Sequence, residues 1–269
     1  MELSVVIPAH NEADNLPQLL HEIHTALSRH AAYEVIVVDD GSSDSTPAVL
    51  HDIQADFAQL RIVRHASSCG QSTALMTGVD AATGNVIATL DGDGQNDPAD
   101  IPGMIELLLQ ARHTEDVRMI AGYRNKRRDS RWRLFSSRIA NAVRSRILHD
   151  ETPDSGCGIK VFLKQAFAIM PRFNHMHRFL PALIVRGGGK VVSYPVNHRP
   201  RVHGQSHYDT LRRLTVGIVD LMGVAWLLRR NRLPVVERMD PVYDERTHLD
   251  SIRFDRPAPV HSPIRRAVA

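Results

Sequence analysis

The sequence predicts an α/β fold in which a mostly parallel sheet is flanked by helices. Two observations predict it. Short apolar runs ending in polar turns alternate with amphipathic stretches at the spacing of βαβ units. One of those runs, Val86-Ile87-Ala88-Thr89-Leu90, delivers Asp91-Gly92-Asp93-Gly94-Gln95 to its carboxyl end, where open α/β sheets bind ligands. The 269 residues are 43% hydrophobic and 23% charged. That is ordinary globular composition, enough for one large domain with a tail.

The elements follow in order. Leu3 to Pro8 reads as a buried strand ending at a proline. Asn11 to Arg29 carries a helical stripe through Leu16, Leu19, Leu20, Ile23 and Leu27, with Pro17 in an early turn. Glu34 to Val38 is a second strand, followed by Asp39-Asp40-Gly41-Ser42-Ser43-Asp44. The next helix has Ser45 or Thr46 as N-cap and Pro47 in its first turn. Arg61 to Arg64 is a short third strand, Ser72 to Ala82 a helix, and Gly84-Asn85 punctuates before the strand that carries Asp91. Asp100 to Arg112 predicts a helix, Met119 to Arg124 a strand, and Trp132 to Leu148 a helix with a basic face. Lys160 to Leu163 and Val191 to Asn197 read as strands, and Leu211 to Arg230 as a helix. The domain is expected to cover residues 1–232. Residues 233–269 are polar and rich in Pro and Arg, as a disordered tail would be.

Composition excludes several classes. Cys69 and Cys157 supply neither a disulfide framework nor zinc spacing, which fits a reduced, cytosolic compartment. Met1 runs straight into a strand, so no signal peptide is expected. There is no Gly-x-Gly-x-x-Gly fingerprint and no Gly-Lys-Ser/Thr phosphate loop, which removes support for an oxidoreductase or a nucleoside triphosphatase. The net charge is only +3, but arginines cluster within 126–146 and 199–232. Such clusters seek phosphate, on a lipid headgroup or a membrane surface. With 5% aromatics and no interleaved stacking residues, nucleic acid is not expected as a partner.

The Asp91 turn offers two carboxylates and an amide oxygen, hard ligands suited to Mg²⁺ or Mn²⁺. So few protein groups leave coordination sites that substrate phosphates usually fill. The competing reading is a plain solvated turn, since Asp and Gly are common turn residues.

Four motifs in order resemble glycosyltransferase family 2: Ser4-Val5-Val6-Ile7-Pro8-Ala9-His10-Asn11-Glu12, Val37-Val38-Asp39-Asp40-Gly41-Ser42-Ser43-Asp44, Gly70-Gln71-Ser72-Thr73-Ala74-Leu75 and Asp91-Gly92-Asp93-Gly94-Gln95. The resemblance covers residues 3–230 and implies the GT-A fold. Within the family the chain resembles the polyprenyl-phosphate sugar transferases, of which dolichol-phosphate mannosyltransferase is the best-known type. Gly122-Tyr123-Arg124, Arg133 with Ser137 before Asn141, Asp154-Ser155-Gly156-Cys157-Gly158, and Arg201-Val202-His203-Gly204-Gln205-Ser206-His207-Tyr208 carry that narrower likeness.

The resemblance implies an inverting, metal-assisted transfer of a sugar from a nucleotide-sugar to undecaprenyl or dolichyl phosphate. It implies that Pro8, His10, Glu12 and Asp40 line the nucleotide pocket, with Asp91, Gly92, Asp93, Arg201 and His207 on the donor. Asp93, Gln95 and Asp91 become the metal ligands, and Asp91, Asp93 and Asp154 the catalytic set. Arg124, Arg133 and Ser137 become the acceptor-phosphate cradle. Arg133 and Ser137 lie four apart and so share a helix face. One residue departs from the pattern: His207 stands where the family usually has lysine, and an imidazole is charged only below about pH 6.5.

Other readings stay open at this point. Glu12 also suits a helix N-terminus, and Asp154 could hold a nearby arginine in place, contact the lipid-phosphate region, or simply form a turn. A family 2 enzyme acting on a saccharide hydroxyl would need a general base, for which Asp154 is available. A non-catalytic, membrane-docking nucleotide-binding module is the other rival. The apolar stretch Leu214 to Leu228 contains Asp220 and spans roughly 22 Å, short of a ~30 Å hydrocarbon core. It suits an interfacial amphipathic helix at about 211–230, or a core-packing one. A lipid acceptor implies a peripheral enzyme on the cytoplasmic face of the membrane, or one docked by a small integral membrane protein.

Overall fold

In this computed structural model the described residues are 2–30, 32–124, 144–150, 152–200 and 210–230. The chain divides into two units, Met1–Leu233 and Pro234–Ala269. The second unit, and with it the expected tail, lies outside the described residues.

Seven strands form one sheet: β1 (Leu3–Ala9), β2 (Tyr33–Asp39), β3 (Leu60–Arg64), β4 (Val86–Thr89), β5 (Val117–Arg124), β6 (Lys160–Leu163) and β7 (Lys190–Val196). Their order is β3-β2-β1-β4-β6-β5-β7. All pairings are parallel except those of β6, which runs against both β4 and β5. The mostly parallel sheet expected from the sequence is therefore present.

Helices cover both faces. They are α1 (Leu16–Leu27), α2 (Thr46–Asp56), α3 (Gln71–Ala81), α4 (Ile101–Thr114), α5 (Lys164–Ala168), α6 (Leu180–Arg186) and α7 (Thr210–Arg229), with a helical piece at 144–148. Strands covered on both sides need continuous apolar runs rather than alternation. Accordingly Val5, Ile7, Val35 and Val37 pack with Leu16, Leu20 and Ile23 of α1 and Leu108 of α4 on one face. Val6, Ile36, Val38 and Ile87 pack with Leu75 and Val79 of α3 and Leu183 of α6 on the other. Fully burying one such side chain contributes roughly 1.5–3 kcal/mol, so the stripe on α1 alone anchors that helix firmly.

One helix start differs from expectation, and one agrees with it. α1 begins at Leu16, five residues after the predicted Asn11. Asn11 has a left-handed φ of 56°, and its Oδ1 accepts the amides of Ser43 (2.8 Å) and Asp44 (3.3 Å). That tie lashes the β1–α1 loop to the β2–α2 loop instead of extending the helix. At α2, Ser45 occupies the cap position without a side-chain cap bond. Asp44 accepts the Thr46 amide at 2.9 Å, and Pro47 sits in the first turn as predicted. α5, α6 and the 3₁₀ turn Met176–Arg178 have no counterpart in the sequence reading.

α7 packs Val224, with Leu221, Ala225 and Leu228, on the face shared by α3 and α6. His175 Nδ1 and Asp220 Oδ2, 2.9 Å apart, add a polar tie. Its other side shows Ile218, Val219, Met222 and Trp226 to solvent at 49–63% exposure. Among the described residues no helix is long and apolar enough to cross a membrane.

Candidate active site

The site is built at the carboxyl ends of β1, β2 and β4. β4 stops at Thr89, and the chain turns through Asp91 to Gln95. Gly94 sits at φ 70°, a left-handed conformation that glycine adopts without steric cost. Three ties fix the turn. The Gln71 side-chain amide donates to Asp91 Oδ1 at 2.7 Å. The Asp91 amide donates to Asn96 Oδ1 at 3.2 Å, and the Gln95 amide to Asp93 Oδ1 at 3.2 Å. Gln95 Nε2 donates to the Arg199 carbonyl at 3.4 Å, which commits the amide nitrogen and leaves the oxygen for another partner. Two carboxylates and an amide oxygen on one half-exposed turn fit Mg²⁺ or Mn²⁺ by donor chemistry.

Opposite the turn stands the segment entering β6. Gly158 lies so close to Asp91 that an added Cβ would displace its carboxylate and the Asn96 side chain. Asp154 is buried and takes a bidentate pair from Arg124, Nε to Oδ2 at 2.6 Å and Nη2 to Oδ1 at 2.8 Å. Such fork-to-carboxylate pairs are both strong and orienting.

Pro8, Asp91, Arg124 and Asp154 line one cavity of about 340 Å³. Gln71, Lys160, His177 and Arg178 also line it, and no role was assigned to any of them from sequence. Lys160 offered a signal, a single cation inside the apolar strand Ile159-Lys160-Val161-Phe162. His177 offered none. Its Nδ1 meets Ser72 Oγ at 2.8 Å, and Ser72 Oγ accepts the His177 amide at 3.1 Å. Burial, reinforced by Arg178, Lys160 and His175, pushes His177 down to about 3, so the ring is neutral at physiological pH.

The remaining predicted residues sit on the rim or elsewhere. His10 Nδ1 donates to the Asp40 carbonyl at 2.8 Å, which orients an exposed ring. Glu12 is half-buried and accepts from Asn15 Nδ2 at 2.6 Å. Gly92 packs against the Pro8 carbonyl side of β1. Asp40 is 3% exposed and accepts four hydrogen bonds: Cys69 amide 2.8 Å, His65 Nδ1 2.7 Å, Gly70 amide 2.8 Å and Ser68 Oγ 2.9 Å. Burial alone would raise its pKa, but these donors together hold it below the usual carboxylate range. Its carboxylate is thus a clasp for the loop 65–70. Asp39 accepts the Ser42 amide at 2.9 Å and lies 3.2 Å from Arg64 Nε. Arg133, Ser137, Arg201 and His207 lie outside the described residues.

Asp40, His65 and Cys69 also bring possible ligand atoms within 4.8 Å of one another. The four donors on Asp40 and the contact of His65 Nε2 with Thr77 Oγ1 at 3.0 Å use the lone pairs a cation would need. The oxygen donors of the Asp91 turn are by type harder ligands than this mixed set.

The open α/β sheet with an acidic turn after its fourth strand has the GT-A fold of the solved glycosyltransferases it resembles. Residues 4–169 match glycosyl transferase family 2, and the chain belongs to that family. It is 34% identical over 239 residues to the dodecaprenyl-phosphate galacturonate synthase of Rhizobium johnstonii, covering 87% of this chain and 69% of that protein. It is 33% identical over 213 residues to the undecaprenyl-phosphate 4-deoxy-4-formamido-L-arabinose transferase of Sodalis glossinidius, covering 78% and 64%. The chain therefore spans about two thirds of the length of the curated relatives it matches. In fold it is similar to a mannosyltransferase from Pyrobaculum calidifontis solved with GDP-Man and Mn²⁺ (TM-score 0.63, 19% identity, covering 86% of this chain and 65% of that one). A second likeness is to glucosyl-3-phosphoglycerate synthase from Mycobacterium tuberculosis, solved with Mn²⁺, UDP and phosphoglyceric acid (TM-score 0.61, 17% identity, 87% and 80%).

Proposed function

We propose that the chain moves a sugar from a nucleotide-sugar to a polyprenyl phosphate by one displacement that inverts the anomeric carbon. The observation that carries this reading is a single cavity lined by both Asp91 and the Arg124–Asp154 pair. The names of the relatives, both prenyl-phosphate sugar transferases, support it.

The chemistry suits the residues. A phosphate monoester has a second pKa near 6 and is largely dianionic at neutral pH, so it attacks without a general base. Its oxygen bonds to the anomeric carbon as the bond to the diphosphate oxygen breaks, and the nucleoside diphosphate departs with that electron pair. A saccharide hydroxyl would instead need a carboxylate base. Asp154, clamped by two guanidinium N–H groups, is poorly placed for that task, which weighs against the hydroxyl acceptor. Arg124, held by Asp154, is the described member of the phosphate cradle; Arg133 and Ser137 join it on the motif alone.

Asp91, Asp93 and Gln95 would hold Mg²⁺ or Mn²⁺, which when bound neutralises the leaving diphosphate. Pro8, His10, Glu12 and Asp40 belong to the nucleotide side, the last through the loop it clasps. Arg201 and His207 belong to the donor diphosphate by motif. The exposed Ile218, Val219, Met222 and Trp226 on α7 suit shallow insertion at a membrane interface, which supports a peripheral enzyme on the cytoplasmic face. A small integral membrane protein covering that stripe would serve the same end.

The test is label transfer from a panel of UDP- and GDP-sugars to undecaprenyl and dolichyl phosphate, with Mg²⁺ or Mn²⁺ present. Label entering the lipid phase, and falling about 10²–10³-fold in Asp93→Ala by analogy with loss of one electrostatic stabiliser, is the expected result. Donor binding without lipid labelling, but with transfer to a saccharide, would overturn the phosphate acceptor.

A further inference from the structure

The cavity holds one buried charge that the proposed reaction does not use. Lys160 opens β6, paired with Thr89 of β4 and Ala121 of β5. Its side chain lines the cavity yet is 3% exposed. Among the described residues its ammonium makes one hydrogen bond, to the Cys157 carbonyl. An ammonium has three donors, and a charge taken out of water is costly unless it is both paired and hydrogen-bonded. One carbonyl is a poor return for that cost, because a neutral glutamine or serine could bond it without a charge to desolvate.

The surroundings sharpen the imbalance. Asp91 and Asp154 are the negative groups that act on Lys160. Asp154 is held by Arg124, and Asp91 accepts from Gln71. Burial moves the lysine below its usual range, and Cys157 and the two carboxylates oppose that shift. Beside it on the cavity wall are Arg178 and the neutral His177. Ser72 Oγ accepts the His177 amide and lies 2.8 Å from the ring Nδ1, which ties the imidazole to α3. One cavity is thus lined by a lysine, an arginine and an imidazole.

We propose that Lys160, with His177 and Arg178 beside it, anchors an oxyanion subsite in this cavity, one that takes a carboxylate or phosphate oxygen of a substrate. The identity of the substrate rests on the transferase reading; the anion itself does not. Two sources share the chemistry: the phosphate monoester of the acceptor, and a carboxylate on the donor sugar, as in a hexuronate.

The test has two independent readouts on the full chain. The first is binding of inorganic phosphate and, separately, of free galacturonate, followed by calorimetry and by the ¹⁵N shift of the Lys160 ammonium in lysine-labelled protein. The second is the KM of each substrate in Lys160→Met and Lys160→Arg. We expect one anion to shift the Lys160 resonance. We also expect Lys160→Met to weaken that anion and raise one KM about tenfold or more, while Lys160→Arg restores both to within about threefold. A rise confined to polyprenyl phosphate assigns the acceptor phosphate. A rise confined to an acidic nucleotide-sugar, absent with its neutral counterpart, assigns the donor carboxylate. A wild-type Lys160 resonance indifferent to both anions overturns the subsite, as does a folded Lys160→Met with unaltered binding and unaltered KM. The resonance experiment decides the matter even where Lys160→Met does not fold. Anion binding without any sugar transfer would keep the subsite and remove the transferase reading instead.

Discussion

Two buried ionisable groups lie at the same end of the sheet and are treated in opposite ways. Asp40, at the end of β2, has a donor for every lone-pair direction it uses: two backbone amides, a hydroxyl and an imidazole. Lys160, at the start of β6, has among the described residues one acceptor for three protons. The first group is finished by the fold. The second is only half satisfied among the described residues. A buried charge that the chain fully satisfies is architecture, and one that it half satisfies marks where a ligand completes the structure.

The comparison can be broken at its finished end first. Asp40→Ala strips the acceptor from the amides of Cys69 and Gly70 and should destabilise the protein by about 3 kcal/mol, read as a lower denaturation midpoint with unchanged slope. An unchanged midpoint would mean the loop 65–70 is not held by this carboxylate.

The next effect is one of pH. His177 has a folded pKa of about 3, against roughly 6.5 when unfolded. The unfolded chain therefore binds the proton first, and the stability this ring contributes is full above pH 6.5 and lost as pH falls from there toward 3. Between pH 7.5 and pH 5 the loss should be about 2 kcal/mol. His177→Gln should remove that dependence; a wild-type acid limb surviving in the variant would place the titration elsewhere.

Gln71 tests the cavity side more gently. Gln71→Ala frees Asp91 from its 2.7 Å tie without removing a charge. It should lower kcat/KM about tenfold with little change in melting temperature. The smallest effect is the control for the whole contrast. Arg172 and Asp80 form an exposed ion pair with side chains 47% and 52% exposed. Arg172→Ala should cost less than about 0.5 kcal/mol, since water already satisfies both partners.

The parts legible in the sequence were those carried by neighbours along the chain. The runs of β1, β2 and β4, the leucine stripe of α1 and the five-residue turn at Asp91 declare themselves within a few positions. α6 did not, because seven residues between a 3₁₀ turn and three glycines are too few to set up a helical period. The start of α1 was misjudged because Asn11 is held by Ser43 and Asp44, residues of the next loop. The cavity suffers most from this limit. Ser72 and His177 meet across 105 positions, and no local pattern of residue types announces such a pair. Arg124 and Asp154, 30 positions apart, were marked separately by motif; an arginine partner for Asp154 was expected, but that it is Arg124 required the fold.

The reversed direction of β6 has one more consequence. Thr89 and Lys160 are partners in a ladder of only four pairs. Beyond that pair the two chains run on in opposite senses, one to Asp91 and the other back to Gly158. The span across the cavity mouth is thus metered by counting residues outward from a single rung. Deleting one residue between Asp154 and Lys160 would turn the lysine toward the opposite side of the sheet, among Val161's neighbours, and bring an apolar side chain to the cavity in its place. Loops elsewhere on this enzyme can lengthen or shorten at modest thermodynamic cost. This five-residue approach behaves as a caliper, and insertions or deletions here should be the least tolerated in the molecule.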